Sequence, residues 1–199
     1  MIEHFFFRCA KQVGITSVTM EKRADNAPAE SRRRPGDIKI GSTMHGWKAA
    51  AGKTLLLDVT TVSAVCTTWA HKAAAAVGGA AKGAADKKIV EVLASGELSE
   101  NQHFLPLGFE SEGAKAVEVD KLLHAWGKLY KETRDASNGD VSLLLFKWHT
   151  ELAFIRAKFT AKCIVERAAF CAEKQDNEDK ITSDVRPPLP DQLHVFTAH

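Results

Sequence analysis

Paired cysteines are missing from this sequence. Cys9, Cys66, Cys163 and Cys171 are scattered, and none belongs to a C-x-x-C pair, which argues against a zinc site and for free thiols in a reducing compartment. The apolar start at Phe5–Phe7 is too short for the core of a signal peptide. The alanine-rich stretch 73–85 is interrupted by glycines and Lys82, so no transmembrane segment is expected. The expected location is intracellular, with the nucleus left open. A strong charge of one sign is also lacking: the net charge is +2, too small to point to nucleic acid by itself. There is no G-x-G-x-x-G and no G-x-S-x-G, and Gly78-Gly79-Ala80-Ala81-Lys82 has neither the spacing nor the Ser/Thr of a P-loop. His45, His71, His103, His124 and His149 lack ligand spacing and are assigned no role. No internal repeat is visible.

What is present is ordinary globular material. Of 199 residues, 45% are hydrophobic and 26% charged, enough for one domain with its own core and a tail. Positive charge is local: Arg32, Arg33 and Arg34; Lys82, Lys87 and Lys88; and Lys147, Arg156, Lys158, Lys162, Arg167 and Lys174. Such clusters either contact phosphates or simply solubilise a surface.

Patterning predicts a helix over 2–13, ending near Gly14, a strand over 15–21, a polar loop over 24–33 and a short strand over 37–40. Thr54 to Val62 is a continuous apolar run of strand formers, expected as a buried central strand. Residues 66–94 read as a helix that Gly78, Gly79 and Gly83 weaken or bend. His103 to Glu110 reads as a strand whose Pro106 favours an edge position or a strand start. An amphipathic helix follows over 114–131, with Val119, Leu122, Trp126 and Leu129 on one stripe. The longest helix is expected over 142–174, with Leu144, Trp148, Leu152, Ile155, Phe159 and Cys163 on one face. This gives a domain over 1–174 and a flexible C-terminal tail over 175–199. The class is α+β with one mixed sheet.

Two carboxylates stand out. Asp37 opens a strand within Arg33-Arg34-Pro35-Gly36-Asp37, and Asp58 interrupts the apolar strand. A lone carboxylate in such a strand is costly to bury unless it is paired or holds a metal. Neighbouring strands can bring the two acids together, and a hard cation such as Mg²⁺ relieves their repulsion while keeping positions for phosphate oxygens and water. Taken singly, Asp37 is also compatible with a turn after Pro35-Gly36, and Asp58 with a strand end or a salt bridge to an arginine.

The order αβββαβ, with one Asp on the second strand and another on the third, resembles the PD-(D/E)XK, restriction-endonuclease-like nuclease core. Arg33-Arg34-Pro35-Gly36-Asp37-Ile38, a linker of 20 residues, Leu57-Asp58-Val59-Thr60 and Phe104-Leu105-Pro106-Leu107-Gly108-Phe109-Glu110 go further. With the Gly14 to Glu21 segment, they resemble the nuclease domain C-terminal to reverse transcriptases of non-LTR-retrotransposon-like proteins, over about residues 4–131. The resemblance implies a mixed central sheet flanked by helices, here followed by a long C-terminal helix. It also implies a DNA endonuclease of mobile-element origin that uses Mg²⁺ or Mn²⁺, with a reverse transcriptase as partner in the parent element.

By that resemblance Asp37, Asp58 and the Val59 carbonyl hold the metal, and Glu21 is a further ligand or an exposed strand end. The lysine expected two residues after Asp58 is replaced by Thr60. Its role falls to Lys88 of the alanine-rich helix, with Lys87, Lys82 and Lys72 behind it. Gly36-Asp37 also stands where the family has Pro-Asp. Glu110 matches a recurrent Glu at the strand-to-helix junction, where it can accept from amides of the next helix. Arg32, Arg33, Arg34 and the basic face of the last helix would follow the phosphate backbone. Two other readings remain: a catalytically degenerate nucleic-acid-binding domain of the same fold, favoured by Thr60, and a helical adaptor, which leaves Asp58 unexplained.

Overall fold

The computed structural model describes residues 1–22 and 36–184, with side chains at 1–20, 36–166 and 168–170. The loop expected over 24–33, including Arg32 and Arg33, lies outside the described residues, as do Arg34, Pro35 and positions 185–199. Met1–Thr160 forms one compact unit and Ala161–His199 a second.

The run of β-branched and leucine residues from Thr54 forms β3 (Thr54–Val62), the third of four strands. β1 is Val18–Lys22, β2 is Gly36–Ile40 and β4 is Gln102–Glu110. The sheet order is β1-β2-β3-β4. β1 pairs antiparallel with β2 and β2 antiparallel with β3, whereas β3 and β4 run parallel from Thr54↔Gln102 to Val62↔Glu110. The sheet is therefore mixed and β3 is interior to it. β4 is at the edge, where Pro106 costs least because its missing N–H faces away from the ladder. A parallel pair needs a crossover, and here two helices supply it. They are α2 (Ala70–Ala75) and α3 (Gly79–Ser95).

The single bent helix expected over 66–94 is thus two helices. Gly78 adopts φ +75°, and a Cβ there would lie 2.4 Å from the Lys115 carbonyl oxygen. A Cβ on Gly79 would lie 2.0 Å from the Lys72 carbonyl oxygen. The corner can be made only by residues without side chains.

α1 (Ile2–Gln12), α4 (Val117–Arg134) and the first part of α5 (Asn138–Asp184) share a core with one sheet face. The stripe on α4 is buried as its period requires: Val119, Leu122, Trp126 and Leu129 are all interior. On α5, Leu144, Trp148 and Leu152 are buried, Ile155 packs against the core, and Phe159 is only half-buried. Two indoles end in hydrogen bonds, Trp126 Nε1 to the His45 carbonyl and Trp148 Nε1 to Gln12 Oε1, each at 3.0 Å. Buried indoles need such partners. The helix expected over 142–174 is longer than its apolar stripe, and positions 175–184 continue it. In the second unit, Lys162 pairs with Glu166 at 3.5 Å on the exposed helix surface. Among the described residues Cys9, Cys66 and Cys163 are free thiols, and no helix is long and apolar enough to cross a membrane.

Candidate functional site

Alternation along the strands decides which side chains meet. Ile38 and Ile40 of β2, Leu55 and Leu57 of β3, and Leu105, Leu107 and Phe109 of β4 point into the core. Asp37, Asp58 and Glu110 therefore project from the opposite face, the one that α3 covers. The last paired residues of the β2–β3 ladder are Ile38 and Leu57, and the next rung is occupied by Asp37 and Asp58. There a side chain replaces the ladder: the Val59 N–H donates to Asp37 Oδ2 at 2.7 Å.

Asp58 is 5% exposed. Its Oδ2 accepts from the Thr60 hydroxyl at 2.8 Å and faces Lys88 Nζ at 3.5 Å. Lys88 reaches it because of the composition of α3. Ala81, Ala84 and Ala85 are buried against the sheet, and Lys88 lies on the same stripe two turns beyond Ala81. Small residues let the helix sit close, so a lysine stem can span the remaining gap while the Lys88 side chain stays 40% exposed.

The Asp37 carboxyl is held above the usual carboxylate range. Burial is the main cause, and the charges of Asp58 and Glu3 add to it, while the Val59 N–H and the Lys88 ammonium pull the other way. Glu3 is not singled out by sequence pattern. A carboxylate in the first turn of a helix is ordinary, and only the packing of α1 against β2 brings it near Asp37.

A carboxyl whose folded-state value is raised contributes stability below its unfolded value and loses it as pH rises through the folded value. Asp37→Asn keeps an acceptor for the Val59 N–H and removes the charge. In EDTA at pH 7 the variant should therefore show a higher urea midpoint than the wild type. The two midpoints should converge as the pH falls through the carboxylate range. A variant less stable at pH 7 would show that the Asp37 charge is already compensated.

The other residues named from sequence fall in different places. Lys82 pairs with Asp86 at 2.7 Å and Lys87 with Glu91 at 3.7 Å, both on the exposed side of α3 and away from the acids. Lys72 sits over the Trp69 ring at 5.3 Å. The structure thus brings Lys88 alone of these four to Asp58. Val59 contributes its N–H to Asp37. The side chain of Glu21 lies outside the described residues, although Met20↔Ile38 and Lys22↔Gly36 bracket its position at the level of Asp37.

Glu110 is buried, and its Oε1 accepts from the N–H groups of Ala80 and Ala81 at 3.0 and 3.2 Å. The helix whose first turn it caps is α3, which precedes it, and not the following α4. The crossover returns the start of α3 over the end of β4, so the open amides of that helix are the ones within reach. Of the basic residues on the last helix, Lys147 and Lys158 are exposed. Arg156 is instead half-buried, with its guanidinium 6.0 Å from the centre of the Phe109 ring. Arg167 and Lys174 lie outside the described side chains.

Among the described residues no cluster of three or more His, Cys, Asp or Glu side chains is arranged for a metal ion. The acids available are two, Asp37 and Asp58, each with an Oδ1 that has no hydrogen-bond partner among the described residues. Two neighbouring carboxylates form an oxygen donor set suited to a hard cation that keeps most of its own waters, as Mg²⁺ does. They do not suit a soft metal that requires Cys or His. Comparison with known protein families, with curated proteins and with solved structures found no match for this chain.

Proposed function

We propose that this chain is a metal-dependent DNA endonuclease with a restriction-endonuclease-like core. One observation carries the reading: Asp37, Asp58 and Lys88 converge from β2, β3 and α3 on one face of the sheet. The element order supports it, with one helix, three strands, a helical crossover and a fourth strand in sequence.

In this reading Asp37 and Asp58 hold Mg²⁺ or Mn²⁺, with the Val59 carbonyl as a further oxygen. When bound, the cation supplies an activated water and charge neutralisation at the phosphodiester. Lys88 orients the attacking water and offsets the charge that builds on the phosphate. Thr60 donates to Asp58 Oδ2, which leaves the other carboxylate oxygen for the cation. The exposed Lys147 and Lys158 contact the backbone of the substrate. The mobile-element origin, with a reverse transcriptase elsewhere in the parent element, belongs to this proposal and rests on the sequence resemblance.

The Lys88–Asp58 ion pair also favours a second reading. It satisfies Asp58 without any cation, as a degenerate nucleic-acid-binding domain requires. Supercoiled plasmid incubated with the purified chain separates the two. Conversion to nicked circles with Mg²⁺ or Mn²⁺, absent in EDTA, is expected of the enzyme. Salt-sensitive DNA binding with no strand breaks under any metal would leave the binding domain.

A further inference from the structure

On the opposite face of the sheet, the connection from β2 to β3 folds against α4 and leaves a cleft of about 570 Å³. One wall is Trp47 and Lys48; the other is Lys121, His124, Lys128 and Leu129 of α4. The α4 residues recur at helical spacing, so they form one continuous wall.

The Trp47 wall is tied down by hydrogen bonds. His45 is buried and satisfied on both ring nitrogens. Its Nε2 lies 2.9 Å from the Ala50 carbonyl and 3.0 Å from the Lys53 carbonyl, and its Nδ1 accepts the Trp47 N–H at 3.1 Å. The His45 carbonyl in turn accepts a hydrogen bond from the Trp126 indole N–H. Gly46, at φ +68°, lets the loop approach α4 so closely that a Cβ there would lie 3.4 Å from the Ala125 carbonyl oxygen. The indole of Trp47 is half-buried: it packs partly against the core, its buried Nε1 has no hydrogen-bond partner among the described residues, and the remainder lines the cleft.

An indole lining a cleft flanked by cations matches one ligand chemistry well: a planar aromatic base linked to phosphates. Lys48, Lys121 and Lys128 supply positive charge at the cleft, against Glu132 on the same wall and a Glu118 contact to Lys121 at 3.8 Å. We propose that this cleft is a subsite for single-stranded nucleic acid, with one base stacked on Trp47 and the neighbouring phosphates at Lys48 and Lys128. The ligand class rests on the nucleic-acid reading just given. Because Asp58 faces α3 and the cleft faces α4, a base held here lies away from the proposed reacting centre. It tethers the substrate.

The test is fluorescence anisotropy of a labelled twelve-residue oligothymidylate in EDTA, so that no cleavage can occur. Trp47→Ala should weaken binding about tenfold, the effect of losing one stacked base. Lys128→Ala should also weaken it and make the salt dependence shallower by about 0.7 for each phosphate that Lys128 neutralises. Lys128 is exposed, so its replacement does not threaten the fold if Trp47→Ala does. Lys87→Ala, on the α3 side, should bind as the wild type does. Equal losses from Lys87→Ala and Lys128→Ala, or no binding by the wild type, would overturn the subsite. A chain that binds through Trp47 and Lys128 but never nicks plasmid keeps the subsite and loses the nuclease. A chain that nicks, with both variants binding normally, does the reverse.

Discussion

Asp58→Asn should lower metal-dependent plasmid nicking by about a thousandfold or more, while the folded chain survives. The size follows from what the side chain does in the proposed reaction. An amide presents no negative charge to a hard cation, and removing one preorganised electrostatic interaction at a reacting centre costs on the order of 10²–10³ in rate. Removing half of a two-acid donor set should exceed that. The fold should persist because the amide oxygen of the replacement can still accept from the Thr60 hydroxyl, and Lys88 is exposed enough to turn to water.

Lys88→Ala should cost about 10²–10³, and the double variant should be hardly worse than Asp58→Asn alone, since groups acting as one unit do not add. Lys82→Ala and Lys87→Ala should leave the rate unchanged, because those ammonium groups face Asp86 and Glu91 on the far side of α3. Initial rates of nicking with Mg²⁺, beside thermal melts of each variant, check all of this together. Full activity in Asp58→Asn would remove the proposed centre altogether. Loss in Lys87→Ala equal to that in Lys88→Ala would show that α3 acts only as a positive surface.

Much of this site was legible in the sequence because it breaks a rule that the rest of the chain obeys. A single carboxylate in an apolar run is visible without any structure, and so is the alternation that turns Asp58 to the opposite face from Leu57 and Val59. Strand β3 is as expected from end to end, and β4 starts one residue earlier than its pattern indicated. Lys88 could be named only by likeness to nucleases whose lysine has moved to the helix. Its stripe, shared with Ala81, Ala84 and Ala85, is recognisable once the buried side of α3 is known.

What sequence did not reveal depends on contacts between distant segments. The break at Gly78 depends on the Lys115 carbonyl, and the identity of the helix that Glu110 caps depends on where the crossover returns. Glu3 gains meaning only from the packing of α1. His45, which has no ligand spacing to another histidine, is what holds the Trp47 loop through its two carbonyl partners and one amide. Arg156 reads as one more cation on a basic helix, yet it lies over Phe109. Period and composition carry no information on such pairings.

Gly108→Val should destabilise the chain by about 3 kcal/mol and disturb the site through the backbone. Gly108 lies on β4 on the α3 side, two residues before Glu110. A Cβ there would sit 2.2 Å from the Ala81 carbonyl oxygen and 3.3 Å from its Cα. Both obstacles are helix backbone, so neither can swing aside. The helix would have to lift, and Glu110 resists that by holding the Ala80 and Ala81 N–H groups on the same turn. Either those bonds lengthen, leaving a buried carboxylate poorly satisfied, or the strand shifts against β3 at Thr60↔Gly108. Both outcomes move Lys88 relative to Asp58, because α3 carries the lysine two turns beyond the point of contact. Nicking should therefore fall even where the variant is still folded.

Gly139→Ala should have the opposite effect on stability. It lies in the first turn of α5, and the nearest atom to its Cβ would be the Ser137 hydroxyl at 3.6 Å, an ordinary contact. That substitution should stabilise by about 0.4–1 kcal/mol through the unfolded state. Urea melts of the two variants decide the matter. A Gly108→Val chain as stable as the wild type would mean that α3 is not seated on β4 at Ala81, and the close approach that delivers Lys88 to Asp58 would lose its support.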